Sequence, residues 1–164
     1  MSSGGRRGPP HMSTADRSQA LSALDVLEGT WTIRPTPPPA WGIADPGSLE
    51  GRVRFEWALR GAYLVGRSDA PDPIPDSMLV IAPHEDAYLQ HYYDSRGVTR
   101  LHRMTLTGGV WTLVRTEADF SPLDFAQRFV GEFSPDASTI DGRWEQSHDG
   151  GRTWELDFRL TYRR

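Results

Sequence analysis

The sequence contains no cysteine and no lysine. Without cysteine, the chain cannot form disulfide bonds, use a catalytic thiolate or bind a metal through sulfur. Because arginine takes the place of lysine throughout, Schiff-base chemistry on a lysine and a phosphate-binding Walker lysine are also excluded. No apolar run approaches the length of a membrane span, and no hydrophobic signal segment is visible. These absences predict a cytoplasmic protein with no membrane partner.

Several motifs that carry chemistry are also missing. The net charge of −4 at pH 7 gives no support for nucleic-acid binding. The chain has no H-E-x-x-H, no G-x-S-x-G and no glycine-rich phosphate loop after a strand. His91 and His102 lack a third ligand at suitable spacing, so neither a metal site nor a cofactor is predicted.

The N-terminal residues differ in composition from the rest of the chain. Residues 1–12, MSSGGRRGPPHM, are polar and have no hydrophobic run, which predicts a disordered or expression-derived tail outside the fold. Residues 13–164 have the size of one domain with a substantial core. In this part Ser13 is a candidate helix cap, and leucines recur at helical spacing up to Leu27, so residues 13–28 are predicted to form a helix.

Beyond this helix, short apolar segments alternate with turn signals every ten residues or so, which predicts about ten antiparallel strands. The predicted strands cover residues 30–34, 52–59, 62–68, 78–82, 87–94, 98–106, 110–116, 126–134, 139–146 and 153–163. Most of them are joined by short turns, which favours an up-and-down meander, and closing it into a barrel removes the exposed edges. The predicted fold class is therefore all-β, a single up-and-down antiparallel barrel with an N-terminal helix.

Some connections are longer than a hairpin needs, namely residues 35–51, 69–77 and 117–125. In the last of them, Ser121-Pro122 predicts the cap and first residue of a short helix. Long loops in a compact domain are uncommon and often functional. They are either surface loops stiffened by proline or lids around the mouth of a barrel.

Residues 147–154, SHDGGRTW, have the S-x-D-x-G-x-T-W pattern of the Asp-box hairpin in sialidase-type β-propellers. The chain is too short for several blades of ~40–45 residues each, and the pattern has no second copy. We therefore interpret it as a turn in which Ser147 and Asp149 bond to backbone N–H groups. Trp154 is then expected to anchor the following strand.

Several segments, taken in order, resemble a bacterial lipocalin-like (calycin) family of unknown function that is related in fold to nitrobindin and the fatty-acid-binding proteins. They are Gly29-Thr30-Trp31 after the helix, FEWALRGAYLVGRSD, YYDSRGVTRLHRM and TIDGRWEQSHDGGRTWELDFRLTYRR. The resemblance covers roughly residues 20–164 and implies a barrel with an internal cavity, but no particular reaction. Nitrobindin-like members bind haem through a histidine late in the chain, whereas here His148 lies in a turn and the last strands have none.

Strand alternation predicts which side chains point into the barrel. On residues 98–106, the face with Arg100 and His102 is the more apolar one at both ends, so we place it inward. On residues 87–94, we place Tyr92 and its face inward, with the face of His91 as the alternative. Similar reasoning puts Trp154 and Leu156 on the inward face of the last strand, together with Phe158, Leu160 and Tyr162. The predicted ligand-binding residues are Trp57, Tyr63, Arg67, Tyr88, Gln90, Trp111, Arg115, Phe129, Trp144, Phe158 and Tyr162.

An aromatic interior with a few arginines is typical of a small-molecule pocket. Arg67, Arg100 and Arg115 are candidates to hold a carboxylate or phenolate, although each can instead pair with a nearby acid such as Glu132. The first hypothesis is therefore a protein that binds a small, largely apolar or aromatic organic molecule. The expected partner is that small molecule alone, with no nucleic acid, and a homodimer is left open.

The second hypothesis is a cofactor-free enzyme of the isomerase or cyclase type that uses the same cavity. Its catalytic residues would be His102, Tyr92 and Arg100, with His102 as general acid or base positioned by Tyr92 or Asp94. The alternative for His102 is a structural role in the barrel wall. A third hypothesis, haem or nitric-oxide binding, requires a histidine at an unexpected place.

Overall fold

The structure is a computed structural model that describes residues 14–164. The predicted tail at residues 1–12 and the predicted cap Ser13 lie outside the described residues. The described part begins with helix α1 (Thr14–Ala23) and continues into a 3₁₀ turn at Leu24–Leu27. The N-terminal helix is therefore confirmed, with a tighter last turn that buries Leu24 and Leu27. No helix in this described part is long and apolar enough to cross a membrane.

Ten strands follow the helix and form one closed antiparallel barrel. They are β1 (Gly29–Thr36), β2 (Gly51–Ala58), β3 (Tyr63–Asp69), β4 (Ser77–His84), β5 (Ala87–Asp94), β6 (Thr99–Thr107), β7 (Val110–Arg115), β8 (Ala126–Phe133), β9 (Thr139–Ser147) and β10 (Glu155–Arg163). Each strand pairs with its neighbours in sequence, and β1 closes the barrel against β10. The predicted up-and-down barrel is confirmed, and its closure leaves no unpaired strand edge.

The N-terminal helix closes one end of the barrel, which we call the helix end. Leu24 and Leu27 are fully buried there. The indole Nε1 of Trp31 donates a hydrogen bond to the Leu27 carbonyl oxygen at 2.8 Å. The hydroxyl of Tyr88 donates to the Ala20 carbonyl oxygen, also at 2.8 Å. Buried leucines and these hydrogen bonds together fasten the helix to the barrel.

The longer connections lie at the opposite end, which we call the loop end, because alternate turns of an up-and-down barrel share a side. They are residues 37–50, 70–76, 116–125 and 148–154, and the short turn at residues 95–98 lies at the same end. The first contains 3₁₀ turns at Pro39–Trp41 and Pro46–Leu49. The short helix predicted at Ser121-Pro122 is wrong, because residues 116–125 form an irregular loop. The Ser121 side chain instead bonds to arginines of the barrel wall.

The half of the interior nearest the helix end is a tightly packed apolar core. Its fully or almost fully buried members include Trp31, Phe55, Leu64, Ile81, Met104, Trp111, Phe129 and Ile140. Glycines on the inward face make room for aromatic rings. A Cβ atom on Gly66 would lie 2.7 Å from the Phe55 ring, and one on Gly142 would lie 2.6 Å from the Phe129 ring. Side chains therefore fill this half of the barrel.

The turn predicted at residues 147–154 is present. Asp149 Oδ1 accepts hydrogen bonds from the backbone N–H groups of Arg152 and Thr153 at 3.0 and 2.9 Å. Ser147 Oγ accepts from the Gly151 N–H at 2.9 Å. The Thr153 hydroxyl also donates to Asp149 Oδ2 at 2.6 Å, and the hydrogen bonds from Thr153 are the main cause that lowers the pKa of the Asp149 carboxyl to about 2. Local hydrogen bonding thus accounts for the Asp-box pattern.

The inward assignment of Tyr63 and Arg67 is wrong. Phe55 pairs with Gly66 across β2 and β3, and cross-strand partners share a face of the sheet. Gly66 therefore points inward, while Tyr63 and Arg67 lie on the outer face, where both are exposed. The physical reason is space, because the Phe55 ring occupies the volume that a side chain at position 66 would need.

The inward assignment of Trp154 and Leu156 is also wrong. The pairing of β10 with β9 shifts between Leu156 and Phe158, which marks a β-bulge. A bulge adds a residue and changes the alternation of faces. As a result Leu156 is 55% exposed. Trp154 precedes β10, and its ring lies under the guanidinium of Arg128, 4.3 Å from the ring centroid.

Candidate functional site

Two polar side chains, Gln90 and His102, lie next to each other inside the barrel. They are Cα partners across β5 and β6. Both point inward, as predicted, because their strands alternate and the neighbouring inward positions Tyr88 and Met104 belong to the core. Gln90 is 1% exposed and His102 is 2% exposed. The His102 ring packs against Trp144, with 5.7 Å between ring centroids.

These side chains have polar atoms without hydrogen-bond partners in the described part of the chain. The atoms are Oε1 of Gln90 and both ring nitrogens of His102, and the same holds for Nε1 of Trp111. Leaving a buried polar group unpaired costs about 1–3 kcal/mol. Native proteins contain few such groups, and a bound molecule or ordered water often satisfies them. The hydrogen-bonding capacity of these atoms is therefore unused among the described residues.

The imidazole of His102 is neutral at pH 7. Burial lowers its pKa to about 4, and the nearby guanidinium of Arg115 acts in the same direction. The Asp119 carboxylate opposes this effect, and Arg100 adds to it. A neutral imidazole has one N–H donor and one nitrogen acceptor. His102 can thus donate to a ligand oxygen with one nitrogen and accept with the other.

A buried ion pair joins the loop after β7 to the barrel wall. Arg115 Nε donates to Asp119 Oδ2 at 2.8 Å, and Arg115 Nη2 donates to Oδ1 at 2.9 Å. The side chains are 3% and 5% exposed. Asp119 Oδ2 also accepts a hydrogen bond from the Leu101 N–H at 2.8 Å. Leu101 lies where β6 extends past its pairing with β7, which starts at Arg103 and Val114. The hydrogen bonds from Arg115 hold the pKa of the Asp119 carboxyl well below its usual range.

Arg100 shares the inward face of β6 with His102, nearer the loop end. Its Nη1 donates to Ser121 Oγ at 2.8 Å and to the Thr99 carbonyl oxygen at 3.3 Å. Within the described residues, no carboxylate forms a salt bridge with Arg100. The side chain is half-buried. Its positive charge therefore differs from that of Arg115, which Asp119 neutralises.

The hydroxyl of Tyr92 donates a hydrogen bond to Asp94 Oδ2 at 2.9 Å. Arg96 Nη2 donates to the same oxygen at 2.6 Å. Burial, with help from the Asp94 carboxylate, raises the pKa of Tyr92 well above its usual value. Tyr92 and Arg100 are Cα partners on β5 and β6. The predicted catalytic residues His102, Tyr92 and Arg100 thus all point into the barrel. Tyr92 and Asp94, however, bond to each other rather than to His102.

Aromatic rings line the interior beside His102. Trp144 stacks on Phe158 with 6.5 Å between centroids and 26° between planes. Both are only half-buried although they point inward, so solvent reaches them from the loop end. Trp41, on the connection between β1 and β2, lies 5.2 Å from Phe158 and is 42% exposed. These rings offer an apolar surface on which an organic molecule can pack.

The structure divides the predicted site residues into groups. Toward the loop end lie Gln90, Tyr92, Arg100, His102, Arg115, Trp144 and Phe158. In the packed core nearer the helix end lie Trp57, Tyr88, Trp111, Phe129 and Tyr162. Tyr63 and Arg67 lie outside. Sequence reasoning did not predict that Trp41, Ser121 and Asp119 contribute to this site, because irregular loops have no periodicity. The one usable signal was Trp41, an aromatic residue in a long loop.

No three histidine, aspartate or glutamate side chains within residues 14–164 come together in a group that could hold a metal ion. Comparison with protein-family models and with curated proteins finds no match to the sequence. The closed ten-stranded antiparallel barrel with its short N-terminal helix is compatible with a calycin-like fold. A fold of this kind hosts several functions, so function must be argued from the site.

Proposed function

We propose that this protein binds a small, largely apolar or aromatic organic molecule in the loop-end half of a calycin-like barrel. The observation that carries the proposal is the adjacent pair Gln90 and His102, whose buried polar atoms have no partner among the described residues. They lie beside the half-buried rings of Trp144 and Phe158. Apolar walls with a few convergent polar groups are the usual composition of a ligand site.

The arrangement suggests how such a molecule would be oriented. Its polar end would bond to His102 and Gln90, while its apolar body would pack on Trp144 and Phe158. Each hydrogen bond that satisfies a buried polar atom removes a cost of about 1–3 kcal/mol. Because side chains fill the half of the barrel near the helix end, the ligand would enter and leave at the loop end, past Trp41.

Titration with Nile red, a neutral and solvent-sensitive aromatic dye, tests this proposal. We expect saturable binding of one dye per chain, with emission shifted to shorter wavelength. Trp144→Ala should weaken the affinity about tenfold or more, equivalent to about 1.4 kcal/mol, because it removes an interior wall. Trp154→Ala is the matched control, since Trp154 packs under Arg128 outside the barrel, and it should leave the affinity unchanged.

Circular dichroism melting of both variants establishes that they are folded. The proposal fails if the unmodified protein shows no saturable binding, or if Trp154→Ala weakens binding as much as Trp144→Ala. Native mass spectrometry of the purified protein adds an independent observation, because a small mass that leaves on denaturation would identify the ligand class.

The other hypotheses stay predictions. The isomerase or cyclase hypothesis needs His102 to be positioned by Tyr92 or Asp94, and in the structure those two residues bond to each other. Haem binding, a homodimer and a cytoplasmic location likewise stay predictions. None is favoured by a contact that the structure describes.

A further inference from the structure

The ionisable side chains that point inward from β5, β6 and β7 near the loop end differ in whether they are paired. Arg115 is neutralised by Asp119, and Asp94 is neutralised by Arg96. His102 and Tyr92 are uncharged at pH 7. Arg100 is half-buried on the same inward face, and none of the salt bridges among the described residues involves it. Of these groups, Arg100 therefore carries the one charge that the described salt bridges leave unpaired.

The remaining donors of Arg100 are suited to a planar anion. Its Nη1 bonds to the neutral acceptors Ser121 Oγ and Thr99 O. These bonds hold the side chain in place without neutralising its charge. A guanidinium presents a rigid fork of N–H groups that matches the two oxygens of a carboxylate. The adjacent His102, one inward position deeper, has an N–H that can donate to the same group.

We propose that the ligand of this site carries a carboxylate at its polar end, which Arg100 binds, and an apolar body that packs on Trp144 and Phe158. This inference rests on the proposed function and names the ligand class. A carboxylate accepts hydrogen bonds from both Arg100 and His102 and offsets the positive charge of Arg100. An alcohol or ester of the same shape would leave the guanidinium without a counter-charge in a partly dry site.

Dansyl-labelled undecanoic acid and its methyl ester form a matched pair of fluorescent probes, because they differ only in the carboxylate. We expect the unmodified protein to bind the acid at least about tenfold more tightly than the ester. Arg100→Gln should remove this preference, because it weakens binding of the acid far more than binding of the ester. Arg67→Gln is the control, because Arg67 is exposed on the outer face, and it should preserve the preference.

The outcomes separate this inference from the proposed function. Equal affinities for acid and ester, or a preference that persists in Arg100→Gln, overturn the carboxylate assignment alone. The same holds if both labelled probes fail while Nile red binds. Failure of all three probes overturns the proposed function as well. If Arg100→Gln does not fold, Arg100→Lys keeps the charge but loses the fork, and it should lose most of the preference.

Discussion

Gln90 and His102 face each other across β5 and β6, and each points its polar atoms into the barrel. With 1% and 2% of their surface exposed, they are as buried as the surrounding core, yet Gln90 Oε1 and both His102 nitrogens lack partners among the described residues. Such a pair lowers the stability of the ligand-free protein. Binding sites commonly carry a stability cost of this kind.

Replacing His102 with leucine is expected to stabilise the ligand-free protein while weakening Nile red binding. The substitution removes two unpartnered buried nitrogens and keeps an apolar side chain against Trp144, so the melting temperature should rise by about 2–4 °C. His91→Leu, at an outward position beside Gln90, should leave both quantities nearly unchanged. A lower melting temperature for His102→Leu would show that ordered water satisfies the imidazole and that its role is structural.

The pKa of His102 predicts a specific loss of stability in acid. Burial lowers the folded-state pKa from 6.5 to about 4. Between these values the unfolded chain binds a proton that the folded protein does not, so stability falls as the pH is lowered from 6.5 to 4. The loss should reach roughly 3 kcal/mol. Urea unfolding across this range measures it, and His102→Leu should lack this part of the pH dependence.

Asp119→Asn should destabilise the protein by about 3–5 kcal/mol, because it leaves the buried guanidinium of Arg115 without a counter-charge. Asp141→Asn is the control, since Asp141 is exposed and lies 3.9 Å from Arg159. The low pKa of Asp119 means that its contribution is complete above pH 3.8 and is lost as the pH falls further. Equal unfolding free energies for the two variants at pH 7 would contradict this role.

Gly142→Ala should cost about 1–3 kcal/mol through overpacking. An added Cβ would lie 2.5 Å from the Leu160 carbonyl oxygen and 2.6 Å from the Phe129 ring, and neither atom can move without disturbing the barrel. Gly47→Ala is a matched control, because its Cβ would meet only the end of the Asp45 side chain at 3.2 Å. Comparable melting temperatures for both variants would mean that the core near Phe129 is looser than the distances indicate.

The alternation of side chains along a strand is a local property, and this explains the successful predictions. β5 was predicted with the bounds that the structure has, Ala87–Asp94. The predicted inward faces of β5 and β6 then placed Gln90 and His102 inside. Each of these conclusions depends only on residues close together in sequence. The same applies to the turn of Asp149, whose hydrogen bonds are all local.

Tertiary structure decided the rest. Whether Tyr63 or Gly66 points inward depends on the Phe55 ring across the sheet, and the bulge before Phe158 is a property of pairing with β9. By itself, the sequence determined an antiparallel barrel with a helix and a polar pair on its inner face. Only the folded chain brings the Asp119 carboxylate to the Leu101 N–H and Ser121 to Arg100, because contacts made by irregular loops depend on distances in space that no periodic pattern records.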